Sequence, residues 1–484
     1  MSTQAQSQAL PNSRPLCVDL DGTFIKSDTL ADSFFVLLRM RPLTALKAPF
    51  WLPGGKAALK AKISSIVSLD AAHLPYNRPL LNFLAEEHSR GRRIFLTTGA
   101  DGKLAEEIAA HVGVFDGVIA SDGRTNLTGN NKLASLHAEF AESGFDYIGN
   151  ALPDLPVLQH ATEAMLANPR SSLLSRVRSR GIPIVRTFND QTAWTKALLR
   201  AIRPHQWAKN VLIFVPLLLA HTLRPPLVLN VLLAFICFSL CASASYIIND
   251  MLDMEADRRH PAKRYRPFAA GDLQATTGAA ISLVFLAMAF TGAALMLPPQ
   301  FSGWLALYLI TTLAYSLVLK KKALVDVVLL SGLYTLRLLA GGAAAETSVS
   351  AWLAAFSAFF FFSLALVKRF SELENLRAQG RLFASGRGYR VSDAAQLRSF
   401  GTSSAFAAVV VFALYINGDK ATALYRHPER MWLIVPLLLY WISRIWLLAS
   451  RQELNEDPVI FAVTDRPSLI IGFAVVVIAI FAAL

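Results

Sequence analysis

Residues 246–267 read YIINDMLDMEADRRHPAKRYRP. The stretch closes an apolar run, then carries Asp250, Asp253, Glu255 and Asp257, followed by Arg258, Arg259, Lys263, Arg264 and Arg266. A solvated loop has no need of acids first and bases after at the exit of an apolar segment. Divalent cations with several phosphate groups do, because carboxylates bind the hard cation and bases meet the remaining phosphate oxygens. Asn249, Asp253 and Asp257 are four residues apart. On a helix that spacing advances about 40° per step, so the three share one face. Acids at this spacing also occur on solvated helix ends, paired with bases along the surface. The cost of placing acids at a membrane edge favours a functional reading.

The chain around this stretch has 484 residues, of which 54% are hydrophobic and 17% charged, with a formal net charge of +13. Soluble domains carry about a quarter charged residues, so this composition is that of a membrane protein. Apolar stretches long enough to cross a bilayer recur after residue 209. We place nine spans at 209–225, 227–249, 274–297, 300–319, 323–345, 349–368, 402–418, 430–449 and 467–484. Beyond residue 209, segments 250–273, 320–322, 369–400 and 450–466 hold most of the Lys and Arg, whereas the opposite loops, near RPP, LPPQ and AAETS, are nearly uncharged. The positive-inside rule then places the N-terminal domain in the cytoplasm and the C-terminus on the opposite side of the cell (inner) membrane. The loop at 418–430, with Lys420, Arg426 and Arg430, runs against that rule. The N-terminal MSTQAQSQALPNSRP lacks an apolar signal core. Cys17, Cys237 and Cys241 show no metal-ligand spacing and read as small buried hydrophobes. The bases sit at loop ends without interleaved aromatics, which excludes nucleic acid as a partner.

The first 190 residues read differently. Short apolar runs, LCVDLDG, RRIFLTTGA, GVIAS and FDYIGN, alternate with polar helical stretches and predict a parallel α/β sheet. Asp19 and Asp21 follow the first run and point to the strand's C-terminal edge, where open sheets bind ligands. Asp19 suits a nucleophile toward phosphorus and Asp21 a general acid/base. With Thr98 ending RIFLTT, Lys132 in GNNKLASL and Asp154 closing GNALPD, the set resembles the haloacid dehalogenase (HAD) superfamily over residues 14–180. The resemblance implies a phosphatase, with Thr98 and Lys132 holding phosphate oxygens, Asp19, Asp21, Asn150 and Asp154 at Mg2+, and a helical cap at 26–80. Asn150 departs from the family, which usually has an acid there, so a degenerate docking domain is the competing reading. Residues 191–208 are a linker or interfacial helix in which His205 and Trp207 are membrane-interface anchors or site residues.

The NDMLDMEAD stretch resembles the NDxxDxxxD signature of the UbiA superfamily of intramembrane prenyltransferases, and the resemblance covers residues 195–484. It implies an all-α multi-pass domain at 209–484, and Mg2+ held by Asn249, Asp250, Asp253 and Asp257. IRPHQWAKN, DRRHPAKRYRP, YSLVLKKKALVDVVLLSGLYTLRLLAG and EDPVIFAVTDRPS together resemble the branch that transfers phosphoribosyl groups to decaprenyl phosphate. That implies phosphoribosyl pyrophosphate and a polyprenyl phosphate lipid as substrates, with Asp253 and Asp257 at the reacting diphosphate. Arg203, Lys209, Lys263, Arg264, Arg266, Lys320, Asp326, Tyr334, Arg337, Lys368 and Arg369 are the expected phosphate and substrate contacts. Positive-inside topology accounts for most of the Lys320–Lys322 run, whereas Arg337 lies inside an apolar span. Two rivals stay open: an aromatic prenyltransferase using a prenyl diphosphate, and a transporter, although no paired repeat is visible. Homo-oligomer formation is also open.

Overall fold

The computed structural model describes residues 14–221, 223–380, 387–454 and 457–484. The N-terminal tail before Arg14, and Glu456 of the EDPVIF motif, lie outside them. The chain divides into two compact units, Met1–Ala201 with Ile247–Ala280, and Ile202–Tyr246 with Ile281–Leu484.

The first unit is built on a six-stranded sheet ordered β3-β2-β1-β4-β5-β6. The strands are β1 (Leu16–Val18), β2 (Ile94–Asp101), β3 (Gly117–Ser121), β4 (Asp146–Gly149), β5 (Ala164–Ala167) and β6 (Ile184–Phe188). All pairings are parallel, with Val18 opposite Leu96 on one side and Ile148 on the other. Leu16, Cys17 and Val18 are wholly buried because helices cover both faces of a parallel sheet, which explains a strand with no polar alternation. Strand order reverses at β1, so β1 and β4 flank the switch point, the usual crevice for ligands. Between β1 and β2 the chain inserts helices Thr29–Met40, Pro42–Ala45 and Gly55–Ser64. Helix Arg78–Ser89 then packs Leu80 and Leu84 into the same core as β1 and β2.

Residues 247–280 fold with this unit. Arg258 donates to Asp32 Oδ2 at 2.7 Å, to Ser27 Oγ at 3.1 Å and to the Ala269 carbonyl at 3.2 Å. Ser27 donates to the same Asp32 oxygen at 2.7 Å. Asp32 and Arg258 are both buried, and removing one partner of such a pair strands the other charge. Arg258→Ala is therefore expected to destabilise the first unit by about 3–5 kcal/mol. Thermal unfolding of the detergent-solubilised protein would measure it, and an unchanged midpoint would show that the pair contributes nothing.

The second unit is helical. Seven helices among the described residues are long and apolar enough to cross a membrane: Pro225–Leu252, Ala275–Met296, Val325–Ala344, Ala351–Ala378, Val391–Ile416, Pro428–Ser450 and Arg466–Ala483. Two of the nine expected spans differ. Residues 209–225 do not form one long helix; a 3-10 helix, Pro204–Phe214, hands over at Pro216 to a single short helix, Val215–Leu219. Proline cannot donate in a helix interior but starts one readily, so the segment restarts there. Residues 300–319 do form a helix, Pro299–Leu317, whose Ser, Thr, Gly and Tyr residues dilute its apolar character below that of the seven. Helix Val325–Ala344 packs tightly on the 3-10 segment; a Cβ at Gly341 would collide with the Ile213 carbonyl oxygen, so only glycine fits. All three cysteines are free and buried.

Candidate functional site

The first constellation forms at the C-terminal ends of β1, β2 and β4. Lys132, buried on helix Asn130–Glu139, donates to Asp19 Oδ1 at 2.7 Å, Tyr147 Oη at 2.9 Å and Asp154 Oδ1 at 3.4 Å. Thr23 donates to the other Asp19 oxygen at 3.1 Å. Asp154 also accepts from the Tyr147 hydroxyl at 2.7 Å and from the backbone amides of Asn150 and Ala151 at 3.0 and 3.1 Å. Asp21 accepts from the Thr29 amide at 2.7 Å. Asn150 lies against the turn after β1, where Gly22 has φ +77° and a Cβ would collide with the Asn150 amide nitrogen. Thr98, expected to end its strand, is instead followed by three more residues of β2; it is fully buried, its hydroxyl accepting from the Ala100 amide at 2.9 Å.

Burial pushes both aspartates of the DLDG turn up. Asp19, where Lys132 opposes the rise, reaches about 6. Asp21, with Asp28 adding to the rise, reaches about 7. Burial thus lifts both carboxyls above the usual carboxylate range. Tyr147 and Thr23 join the group without having been singled out in the sequence; Tyr147 sits on the FDYIGN strand and could have been read from it.

The second constellation is the stretch quoted at the outset. Helix Pro225–Leu252 ends before Asp253, yet the four-residue backbone bonding persists: the Asp253 amide donates to the Asn249 carbonyl at 2.9 Å and the Asp257 amide to the Asp253 carbonyl at 2.8 Å. One guanidinium nitrogen of Arg266 donates to Asp250 at 3.1 Å and to Asp257 at 2.7 Å. Burial raises the Asp257 carboxyl, and Arg266 opposes that rise. Arg39, from helix Thr29–Met40, lies 3.2 Å from Asp253 Oδ1 and donates to the Leu252 carbonyl at 3.3 Å. Lys263 and Arg264 are exposed on the following turn. Among the described residues no three acids, histidines or cysteines converge as a metal cage would require. Mg2+ rarely needs one, because one or two carboxylates and the substrate's phosphates complete its shell. Asp250 and Asp257 share a single cationic nitrogen, and Asn249 and Asp253 are hard-oxygen groups close to them in the chain.

The second unit holds a separate basic cluster. Lys209 and Lys368 both donate to Asp457 Oδ2, at 2.8 and 2.7 Å. Burial alone would raise the Asp457 carboxyl, but the two ammonium groups hold it well below the usual range. Two cations on one carboxylate leave a positive balance, and the Lys368 side chain remains 41% exposed, which leaves room for an anion. Asp457 had no assigned role in the sequence, although it caps helix Pro458–Thr464 within the EDPVIF motif.

Arg337 is buried and internally engaged: it donates to Asn210 Oδ1 at 2.9 Å, to the Leu333 carbonyl at 2.5 Å and to Tyr308 at 3.3 Å. Its guanidinium also lies against Phe238, Tyr308 and Tyr334. Tyr334 stacks on Phe361 at 4.5 Å. Asp326 accepts from Arg369 Nε at 2.6 Å and from the Tyr389 hydroxyl, while Glu372 accepts from Arg369 Nη1 at 2.7 Å. Asp326 thus orients Arg369. Asp326→Asn removes the carboxylate from Nε of a guanidinium that is 2% exposed but leaves it Glu372 on Nη1, and is expected to cost about 1–3 kcal/mol. A thermal shift in detergent would test it, and an unshifted midpoint would sink the pairing. Arg203 packs over Tyr246 at 5.5 Å, and Lys320 lies half-buried on the Leu319–Lys321 turn. Trp207 donates to Ser243 Oγ at 2.9 Å.

Seven membrane-length apolar helices among the described residues fit a multi-pass membrane protein. The chain matches the UbiA prenyltransferase family over residues 210–482, more than half its length, and belongs to that family. It is 39% identical over 463 residues to Uncharacterized protein y4nM of Sinorhizobium fredii, spanning 95% of this chain and 89% of that one. It is 36% identical over 223 residues to the decaprenyl-phosphate phosphoribosyltransferase of Mycobacterium tuberculosis, spanning 45% of this chain and 73% of that one. A UbiA homolog from Archaeoglobus fulgidus, solved with GPP and Mg2+, superposes with a TM-score of 0.46 at 16% identity, covering 59% of this chain and 99% of that chain.

Proposed function

We propose that the chain transfers a 5-phosphoribosyl group from phosphoribosyl pyrophosphate to a polyprenyl phosphate, and that its N-terminal domain is a HAD-type phosphatase that removes the 5-phosphate from the product. The observation that carries the transfer is the pair Asp250 and Asp257 sharing Arg266 at the end of an apolar helix, carboxylates and base together as a diphosphate requires. The name of the Mycobacterium tuberculosis relative supports the lipid acceptor.

In this reading Asn249, Asp250, Asp253 and Asp257 would hold Mg2+ at the diphosphate. When bound, the ion neutralises the leaving group's charge. Lys263, Arg264 and Arg266 receive the remaining phosphate oxygens. The lipid phosphate oxygen attacks ribose C1 as the bond from C1 to the diphosphate oxygen breaks, so the configuration inverts and diphosphate departs. No general base is needed, because the nucleophile is already an anion. Lys209 and Lys368 bind a phosphate group through their excess charge over Asp457, Arg337 fixes Asn210, and Asp326 aims Arg369. Arg203, Lys320 and Tyr334 are further candidate substrate contacts of the second unit. In the first unit, Asp19 attacks the 5-phosphate as the bond from phosphorus to the ribose oxygen breaks, and Asp21 protonates that oxygen; water, giving its proton to Asp21, then hydrolyses the aspartyl phosphate, while Thr98 and Lys132 hold the phosphoryl oxygens. Asp19, Asp21, Asn150 and Asp154 are the residues that would hold Mg2+ there, and the ion would offset phosphoryl charge. The N-terminal domain faces the cytoplasm in this scheme.

Purified protein incubated with polyprenyl phosphate, phosphoribosyl pyrophosphate and Mg2+ tests both halves by mass spectrometry of the lipid. A ribosylated lipid without the 5-phosphate is the expected product. A chain that ignored phosphoribosyl pyrophosphate and consumed a prenyl diphosphate would be an aromatic prenyltransferase instead.

A further inference from the structure

The helical insertion between β1 and β2 has a face that the fold leaves uncovered. Met40, Leu43, Leu46, Phe50 and Leu52 are 67, 78, 68, 81 and 53% exposed. The first four recur every three to four residues from the end of helix Thr29–Met40 into the 3-10 helix Ala48–Gly54, while Ala45 and Ala48 turn inward at 2 and 7% exposure. Five large apolar side chains exposed within thirteen residues form a patch that soluble domains do not leave open to water.

Charge indicates what covers it. Between Asp32 and Asp70 the chain contains Arg39, Arg41, Lys47, Lys56, Lys60 and Lys62, and no Asp or Glu. Arg41, Lys47 and Lys56 are exposed around the apolar face, and Trp51 lies half-buried beside Phe50. Apolar and aromatic residues flanked by bases, with no acids, are the pattern of a segment lying in the headgroup layer of a bilayer. An acidic protein partner would match the bases but not five exposed apolar side chains. The chain also carries seven membrane-length apolar helices among its described residues, so it resides where lipid is present.

We propose that residues 40–56 form a membrane-docking face, seated in the headgroup region of an anionic bilayer through Leu43, Leu46 and Phe50 and attracted there by Arg41, Lys47 and Lys56. This docking does not depend on the phosphatase reading; it requires only that the chain resides in a membrane.

The native cysteines are all buried, so a cysteine placed in the patch can be labelled selectively. Full-length F50C protein carrying an environment-sensitive fluorophore would be placed in nanodiscs of phosphatidylcholine and phosphatidylglycerol bearing lipid-attached nitroxide quenchers. S89C is the control, because Ser89 is exposed at the end of the helix leading to the opposite edge of β2. Quenching at position 50 should exceed that at position 89 by about twofold or more. It should fall toward the control when Arg41, Lys47 and Lys56 are all changed to Glu. Hydrogen exchange of the unsubstituted protein gives a second reading, with residues 40–56 protected in these nanodiscs relative to detergent. Equal quenching at both positions, or exchange no slower in lipid, overturns the proposal. So does disulfide cross-linking between F50C chains without quenching, which would make a second copy the occupant.

Discussion

Asp253→Ala should lower transfer from labelled phosphoribosyl pyrophosphate to polyprenyl phosphate by on the order of 10^3-fold or more, since electrostatic stabilisation of a departing anion commonly contributes more to catalysis than any other effect. Asp253 lies at the break after helix Pro225–Leu252, with Arg39 at 3.2 Å. That geometry makes the loss specific. Asp253 is only partly buried, unlike Asp250 and Asp257, so its truncation leaves no stranded interior charge. The variant should therefore unfold close to the wild-type temperature. Asp253→Asn should recover little, because Asn keeps an oxygen ligand but not the charge. Arg39→Ala supplies the contrast. If Arg39 only holds Asp253 in place, its loss should cost about 10–100-fold, as for other residues that orient a ligand. Transfer by Asp253→Ala at the wild-type rate would refute the assignment of the acidic stretch to the reacting diphosphate.

How much of this was legible in the sequence depended on distance along the chain. Leu16–Val18 could be read as a strand because three apolar residues before a DxDG turn have few other fates. The acids of 246–267 could be read because they are near neighbours. Ion pairs formed across long loops left no such trace. Asp32 and Arg258 are 226 positions apart, and neither neighbourhood shows a period that predicts the other. The gathering of residues 247–280 into the first unit was invisible for the same reason. Asp457 meets Lys209 and Lys368 from 248 and 89 positions away, and Asp326 meets Tyr389 from 63. The expected span at 209–225 failed for a local reason. Hydropathy is blind to Pro216, while the backbone is not, and the 3-10 stretch before it packs on Gly341 instead of running straight.

Asp19→Asn should leave transfer untouched while 5-phosphate release falls by on the order of 10^4-fold or more, the scale of losing a covalent nucleophile. The lipid would then accumulate one phosphate heavier than with the wild-type chain, which mass spectrometry reads directly. The substitution suits the test because it removes the nucleophile and little else. Lys132 still faces Asp154 at 3.4 Å and Tyr147 at 2.9 Å, so the buried ammonium keeps a carboxylate partner and the fold keeps its centre. Lys132→Met would be a poorer probe, because it would strand Asp19 and Asp154 together in the interior. The same experiment decides the role of Asn150. Asn at that position offers an oxygen without charge, and it packs on Gly22 so closely that no side chain fits there. If release persisted in Asp19→Asn, the phosphate would leave by another route, and the closely packed turn would be the core of a docking domain. If release stopped while transfer continued, the two reactions would be separable within one chain, with Asp19 and Asp21 responsible for the second.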